Sequence, residues 1–307
     1  MTFTAEEAST LTLKQDEGIA PHKLLKSTDG VNWVKWENPS TNGISINVGE
    51  SVHLKADEDA LWRTSTGENI CNKFDSTGKI KCYGDIRSLV KPIALENYSW
   101  FAHKMFNACN ITKAPELPAT TLADNCYTGM FDWCKSLTTA PELPATTLAD
   151  YCYSVMFSSC SSLTKAPSVL PATTLAINCY NFMFGSCTSL TIAPTLPATN
   201  MVDGCYTGMF MNCTSLKRIK MNASSGGVSW GMLNGCTSLE LVDMTGSTDV
   251  PWLDTSVFEN TNDTYKVVVP DSLYDTWIAA NNWASIATHI MKQSDWNTAH
   301  PDDILGQ

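Results

Sequence analysis

Sulfur and imidazole are the most reactive side chains in this sequence, with twelve cysteines and five histidines in 307 residues. Thiolates and imidazoles at the right spacing would hold zinc or build a nucleophile, and paired thiols would close disulfides. The spacing argues against all three. Ten cysteines fall into two columns, Cys126, Cys152, Cys179, Cys205 and Cys109, Cys134, Cys160, Cys187, Cys213, Cys236. No C-x-x-C occurs, and His22, His53, His103, His289 and His300 sit in separate segments. Such columns read as small buried side chains with a weak S–H donor, stacked as a ladder. Ser224-Ser225-Gly226-Gly227 precedes no lysine and so makes no phosphate loop. Asp57 with Glu58, and Asp302 with Asp303, read as solvated loop charge. No catalytic residue, metal ligand or cofactor is therefore expected, and the chain reads as a non-enzyme.

The elements that position these residues come from an internal repeat. Four units begin ITKAPELPATTLADNCYTGMF (from Ile111), LTTAPELPATTLADYCYSVMF (Leu137), LTKAPSVLPATTLAINCYNFMF (Leu163) and LTIAPTLPATNMVDGCYTGMF (Leu190). Phe106, Phe131, Phe157, Phe184 and Phe210 recur at steps of 25, 26, 27 and 26 residues, and Cys213 to Cys236 tightens to 23. Leu216, Ile219, Met221 and Leu239, Val242, Met244 follow the L-x-x-L-x-L strand signature of a leucine-rich repeat. In the longer units Leu137, Ala140 and Leu143 stand in the same place, with prolines such as Pro115 and Pro118 confining that half to an extended segment and a corner. The second half reads as helix. Leu122, Cys126, Met130, Phe131 and Cys134 keep one apolar face, with Thr121 or Asp124 as its cap. Tyr127, Met130 and Phe131 recur in every unit, which marks core packing. The expected fold is an α/β solenoid of leucine-rich repeats of about 23–27 residues, strand plus helix, each unit burying its apolar face on the next.

The ends differ. TLTLK, NWVKW, ISINV and SVHLK alternate like strands, with Asp29-Gly30, Asn42-Gly43 and Gly49 as turns. Residues 1–65 are expected to form a small antiparallel, sandwich-like β domain. Residues 66–246 are expected to form the solenoid, with an entry coil over 66–100. Residues 247–307 are expected to form a C-terminal cap: a strand at Tyr265–Pro270, a helix capped by Ser272 with Leu273, Trp277 and Ala280 on one face, and a polar tail from Gln293 serving as an arm or contact segment.

Charged residues make up 17% of the chain, with a net charge of −11. Nucleic acid is a poor partner for such a chain, because phosphate neutralisation needs clustered Lys and Arg. No apolar run is long enough for a membrane span. Met1–Ala20 lacks the features of a secretory signal.

The motif MFxxCxSLTxAPELPATTLAxxCY resembles the Bacteroides surface-protein type (BspA-like, treponemal-type) of leucine-rich repeat. TFTAEEASTLTLKQ and VVVPDSLYDTWIAANNW are similar to the ends of such proteins from gut Bacteroidales. The resemblance implies surface display, adhesion, and protein or glycan binding without catalysis. Similar domains also occur in phages of these bacteria as head or tail decorations and fibres. The expected location is therefore a bacterial surface or a virion, and the expected partners are host-surface proteins or glycans, virion proteins, or further copies of the chain. A virion structural role is the alternative to adhesion.

Two sets of residues are candidates for contact. On the strands, the positions that differ between units are Lys113 and Glu116, Thr139 and Glu142, Lys165 and Ser168, and Ile192 and Thr195. Off the strands, Trp133 stands where other units have Ser159, Ser186 and Asn212, and Tyr151 stands where they have Asn125 and Asn178. An aromatic in a polar slot is a frequent contact residue.

Overall fold

A computed structural model of the chain describes residues 1–15, 23–57, 72–89 and 99–306. The N-terminal strands are β1 (Thr2–Ala5), β2 (Ser9–Gln15), β3 (Leu24–Ser27), β4 (Val34–Lys35), β5 (Ile44–Ile46), β6 (Ser51–Ala56), β7 (Asn72–Ser76) and β8 (Ile80–Tyr83). β5-β2-β7 form one antiparallel sheet, and β4-β3-β6-β1-β8 lie antiparallel in a second. Their inward side chains, Phe3, Leu11, Leu13, Leu54 and Phe74, are fully buried. Asp29 closes the β3–β4 turn by accepting the N–H groups of Val31 and Asn32, each at 2.8 Å. That turn needs the left-handed backbone of Gly30, at φ 73°. β7 and β8, in the stretch read from sequence as an entry coil, complete the two N-terminal sheets; the rest of that stretch, 66–71 and 90–98, lies outside the described residues, as does Glu58.

The second sheet does not stop at β8. β9 (Ile111–Lys113), the opening strand of the repeats, adds to it in parallel. From there parallel bridges run Lys113 to Thr139 and Thr139 to Lys165, and further along Ile192 to Arg218. The ladder resumes as a regular parallel sheet of β10 (Arg218–Lys220), β12 (Leu241–Asp243), β14 (Lys266–Val269) and β15 (Ile290–Lys292). A further ladder pairs Thr121 with Thr147, Asn200 with Ser225, and β11 (Gly227–Val228) with β13 (Trp252–Leu253). Successive units therefore stack as coils, a repeat fold in which each coil hydrogen-bonds to the next.

The half of each unit read as helix is not helical. Thr128, Met130, Asp132 and Cys134 donate their N–H to the carbonyl three residues back, closing consecutive tight turns. The alternate residues Tyr127, Gly129, Phe131 and Trp133 donate to the following coil, at Cys152, Ser154, Met156 and Ser158. Such a ribbon needs a left-handed residue every fourth position, here Asn125, Gly129 and Trp133 at φ 58°, 60° and 63°. The helix reading fails because apolar residues at four-residue spacing fit a run of four-residue turns as well as they fit a helix. Thr121 and Asp124 accordingly cap nothing helical: Thr121 joins a ladder, and Asp124 accepts the N–H of Asp150.

The ribbons carry the core. Phe106, Phe131, Phe157, Phe184 and Phe210 stack with centroids 5.4–5.6 Å apart. Tyr127, Tyr153, Tyr180 and Tyr206 stack alongside at 5.8–5.9 Å. Each ring is thus packed above and below by its own equivalent, a geometry that favours offset aromatic pairs.

At the C-terminus α1 (Tyr274–Ala279) follows β14, and Trp277 and Trp283 are buried edge-to-face at 5.5 Å. Ser272 makes no capping hydrogen bond; it lies inside a short 3-10 turn that leads into α1. The tail is no free arm. α2 (Gln293–Ala299) folds back so that Trp296 packs on Leu241 and Val268, with Met291 and Leu305 beside them. Trp296 Nε1 donates to the Asp303 carbonyl at 3.0 Å, and Asp303 pairs with Arg218. These apolar side chains project from the outer face of the β10–β15 sheet, and burying them offsets the cost of ordering a polar segment.

Candidate recognition surface

The strand ladder exposes Thr138 and Thr139, Thr164 and Lys165, and Thr191 and Ile192 on successive coils. Lys113, Thr139 and Lys165 are exposed and joined in register; Ile192 is 64% exposed and in register with Arg218. Glu116, Glu142 and Ser168 are exposed on the neighbouring rung, and Thr195 is half-buried. The strand-face candidates thus share one surface. Trp133 and Tyr151 do not join it. Both sit on the turn ribbon at left-handed positions, Trp133 with its ring under the Lys135 ammonium at 4.8 Å.

Two grooves mark the strand face. The first, of about 360 Å³, runs between Lys81, Thr112, Lys113 and Thr138, Thr139, Pro141. Lys113 stands over the Tyr83 ring at 4.3 Å, and Lys81 is ion-paired with Glu6 at 2.6 Å. That hydrogen bond raises the Lys81 pKa, and the Glu6 carboxyl is lowered first by Lys81 and then by the Thr112 hydroxyl. The second groove, of about 280 Å³, lies between Ile192, Thr195, Arg218, Lys220 and the folded-back tail at Asp303 and Leu305. Lys81, Arg218, Lys220 and the tail residues are missing from the sequence-based set. Lys81, Arg218 and Lys220 lie outside the four long units, although LKRIKM already signals the next rung.

The surface carries a cation on several rungs, Lys81, Lys113, Lys165 and Arg218, in a chain of net charge −11. It offers ammonium and guanidinium donors, the carboxylates of Glu116 and Glu142, threonine hydroxyls and the exposed aliphatic side chains of Val169 and Ile192. Among the described residues, no group of three His, Cys, Asp or Glu is placed to hold a metal ion. All eleven described cysteines are free and buried. Five of them donate S–H to a phenylalanine carbonyl of the preceding coil, for example Cys160 to Phe131 at 3.1 Å and Cys213 to Phe184 at 3.0 Å.

Residues 153–277 match the BspA type leucine rich repeat region, in six copies, which supports a BspA-like leucine-rich-repeat protein. No curated protein matches the chain. Repeats of this type are commonly found in surface-exposed adhesion and binding proteins, mediate protein interactions and are generally non-catalytic. No described helix is long and apolar enough to cross a membrane.

Proposed function

We propose that this chain is a non-catalytic adhesion protein that presents its strand face to a protein or glycan on an opposing surface, displayed at a bacterial cell surface or on a virion. The observation that carries the reading is the in-register outward column Lys113, Thr139, Lys165, held by parallel bridges on a rigid stack. A backbone fixed by a ladder loses little freedom on binding, so a shallow surface of this kind gains affinity through preorganisation. The sheets of the first 83 residues and the unit from residue 247 serve as the two ends of the stack, covering coils whose apolar edges would otherwise meet water.

The test is binding of the full chain to an array of host-surface proteins and glycans, with Lys113→Glu/Lys165→Glu beside the parent. A bound partner that the double variant loses by tenfold or more supports the reading. A partner held equally by both proteins removes the strand face from it.

A further inference from the structure

The turn ribbon changes character after Tyr206. The N–H of Phe182 donates to the Thr207 carbonyl, and in the same register the N–H of Gly208 donates to Trp230. Trp230 therefore occupies the slot held by Thr128, Ser154, Asn181 and Thr207 in earlier coils, and Ser229 ends the tyrosine stack. On the adjoining ladder Trp252 pairs with Gly227. A Cβ at 227 would stand 2.7 Å from Trp252 Cε3, so the indole lies on bare backbone and only glycine permits it. Trp230 in turn leans on Phe182, centroids 6.2 Å apart. Each indole is thus backed by the protein, yet Trp230 stays 50% and Trp252 56% exposed.

Between them opens a cleft of about 290 Å³, completed by Asp203, Thr207, Ser229 and Asp254, with no Lys, Arg or His in its lining. Asp254 Oδ1 is fixed by the Ser256 N–H at 2.9 Å and the Ser256 hydroxyl. Asp203 is exposed, and its carboxylate makes no hydrogen bond among the described residues.

We propose that this cleft is a subsite for a neutral carbohydrate, deepening the binding reading above with a contact off the strand face. An indole supported on one side and open on the other offers a flat apolar platform for the C–H face of a sugar ring. Two carboxylates that only accept, beside two hydroxyls that both donate and accept, match the hydroxyl rim of that ring. The carboxylates, with no Lys, Arg or His beside them in the described lining, disfavour sulfated, phosphorylated or uronic sugars. A cationic side chain is also attracted to indoles and carboxylates. Against it, half the polar lining is hydroxyl, which the rim of a sugar ring uses both as donor and as acceptor.

The experiment titrates the full chain, by tryptophan emission and calorimetry, with hexamers of glucose, mannose and N-acetylglucosamine. A heparin hexasaccharide serves as the anionic probe and a lysine hexapeptide as the cationic one. The expected result is binding of at least one neutral hexamer and neither charged probe. Affinity should fall tenfold or more in Trp252→Ala and in Trp230→Ala, hold within about threefold in Trp252→Phe, and be unaffected by Lys113→Glu/Lys165→Glu. Circular dichroism would check that the variants keep the fold. No binding of any neutral hexamer, equal binding by the parent and both alanine variants, or preference for the lysine peptide would each overturn the proposal. Loss of sugar binding in the tryptophan variants, with partner binding untouched by the lysine variants, would leave the cleft standing while the strand-face reading fell.

Discussion

The thiol of Cys160 donates to the carbonyl of Phe131 in the preceding coil, at 3.1 Å. That carbonyl also accepts the N–H of Cys134 at 3.0 Å, so one oxygen closes a turn in its own coil and ties down the next. Cys134, Cys187, Cys213 and Cys236 repeat the bond at 2.9–3.2 Å. The cysteine column is thus part of the stacking. A buried thiol fits because it is small, apolar and still donates weakly.

Burial holds these sulfurs protonated. Desolvation pushes Cys109 and Cys236 up to about 12 and the others in the same direction. Since the thiolate is the reactive form, iodoacetamide at pH 8 should leave the eleven described cysteines unmodified in the native chain. Guanidinium should expose all of them to alkylation. Mass spectrometry of the two samples checks this, and rapid labelling of Cys160 in the native chain would contradict the buried ladder.

The hydroxyls of Tyr127 and Tyr153 are buried without a hydrogen-bond partner among the described residues. Removing an unsatisfied buried group without changing shape is neutral or stabilising, by up to about 1 kcal/mol. Tyr153→Phe should therefore match or exceed the parent in denaturant midpoint. Tyr153→Ala, which empties one rung of the stack, should lose about 3–5 kcal/mol.

Val155 holds a left-handed backbone, φ 48°, in a column that runs Gly129, Val155, Phe182, Gly208 from coil to coil. A β-branched residue there is strained by about 1–2 kcal/mol, of which glycine's extra chain entropy would return about half. Val155→Gly is expected to raise stability by about 0.5–1 kcal/mol, read from the urea midpoint at unchanged slope.

Two desolvated groups, half-buried Asp132 and buried His103, give opposite pH dependences. Desolvation raises Asp132 to about 6, so between pH 4 and 6 the folded chain keeps a proton that the unfolded chain has released. Its contribution is present at low pH and lost as pH rises through 6. Desolvation lowers His103 to about 4, and neither ring nitrogen has a hydrogen-bond partner among the described residues. The unfolded chain takes up that proton first, so the His103 contribution is full above about 6.5 and lost as pH falls toward 4. Asp132→Asn should raise Tm at pH 7.5 and gain nothing at pH 4. His103→Phe should gain most at pH 4.5. Calorimetric scans across this range separate the two.

Much of this was legible in the sequence. The period, both cysteine columns, the aromatic columns and the strand-face residues follow from residues that recur at fixed steps. The turn ribbon was not, because Leu122, Cys126 and Met130 at four-residue spacing satisfy a helix and a run of turns equally. The discriminating signal was the other set at the same spacing: Asn125 and Gly129, or Gly204 and Gly208, residue types suited to positive φ. The folded-back tail was invisible for a different reason. Trp296 and Leu305 are isolated apolar residues in a polar stretch, and only the outward Leu241 and Val268 give them somewhere to go. Trp230 and Trp252 stood outside the four long units whose differences were compared.

The central claim is that recognition uses the strand face of the stacked coils. Hydrogen–deuterium exchange of the full chain, free and bound to whichever array partner it takes, tests this most directly. New protection is expected in residues 111–116, 137–142 and 163–168. Unchanged exchange in those three segments, with protection elsewhere on the chain, would contradict it.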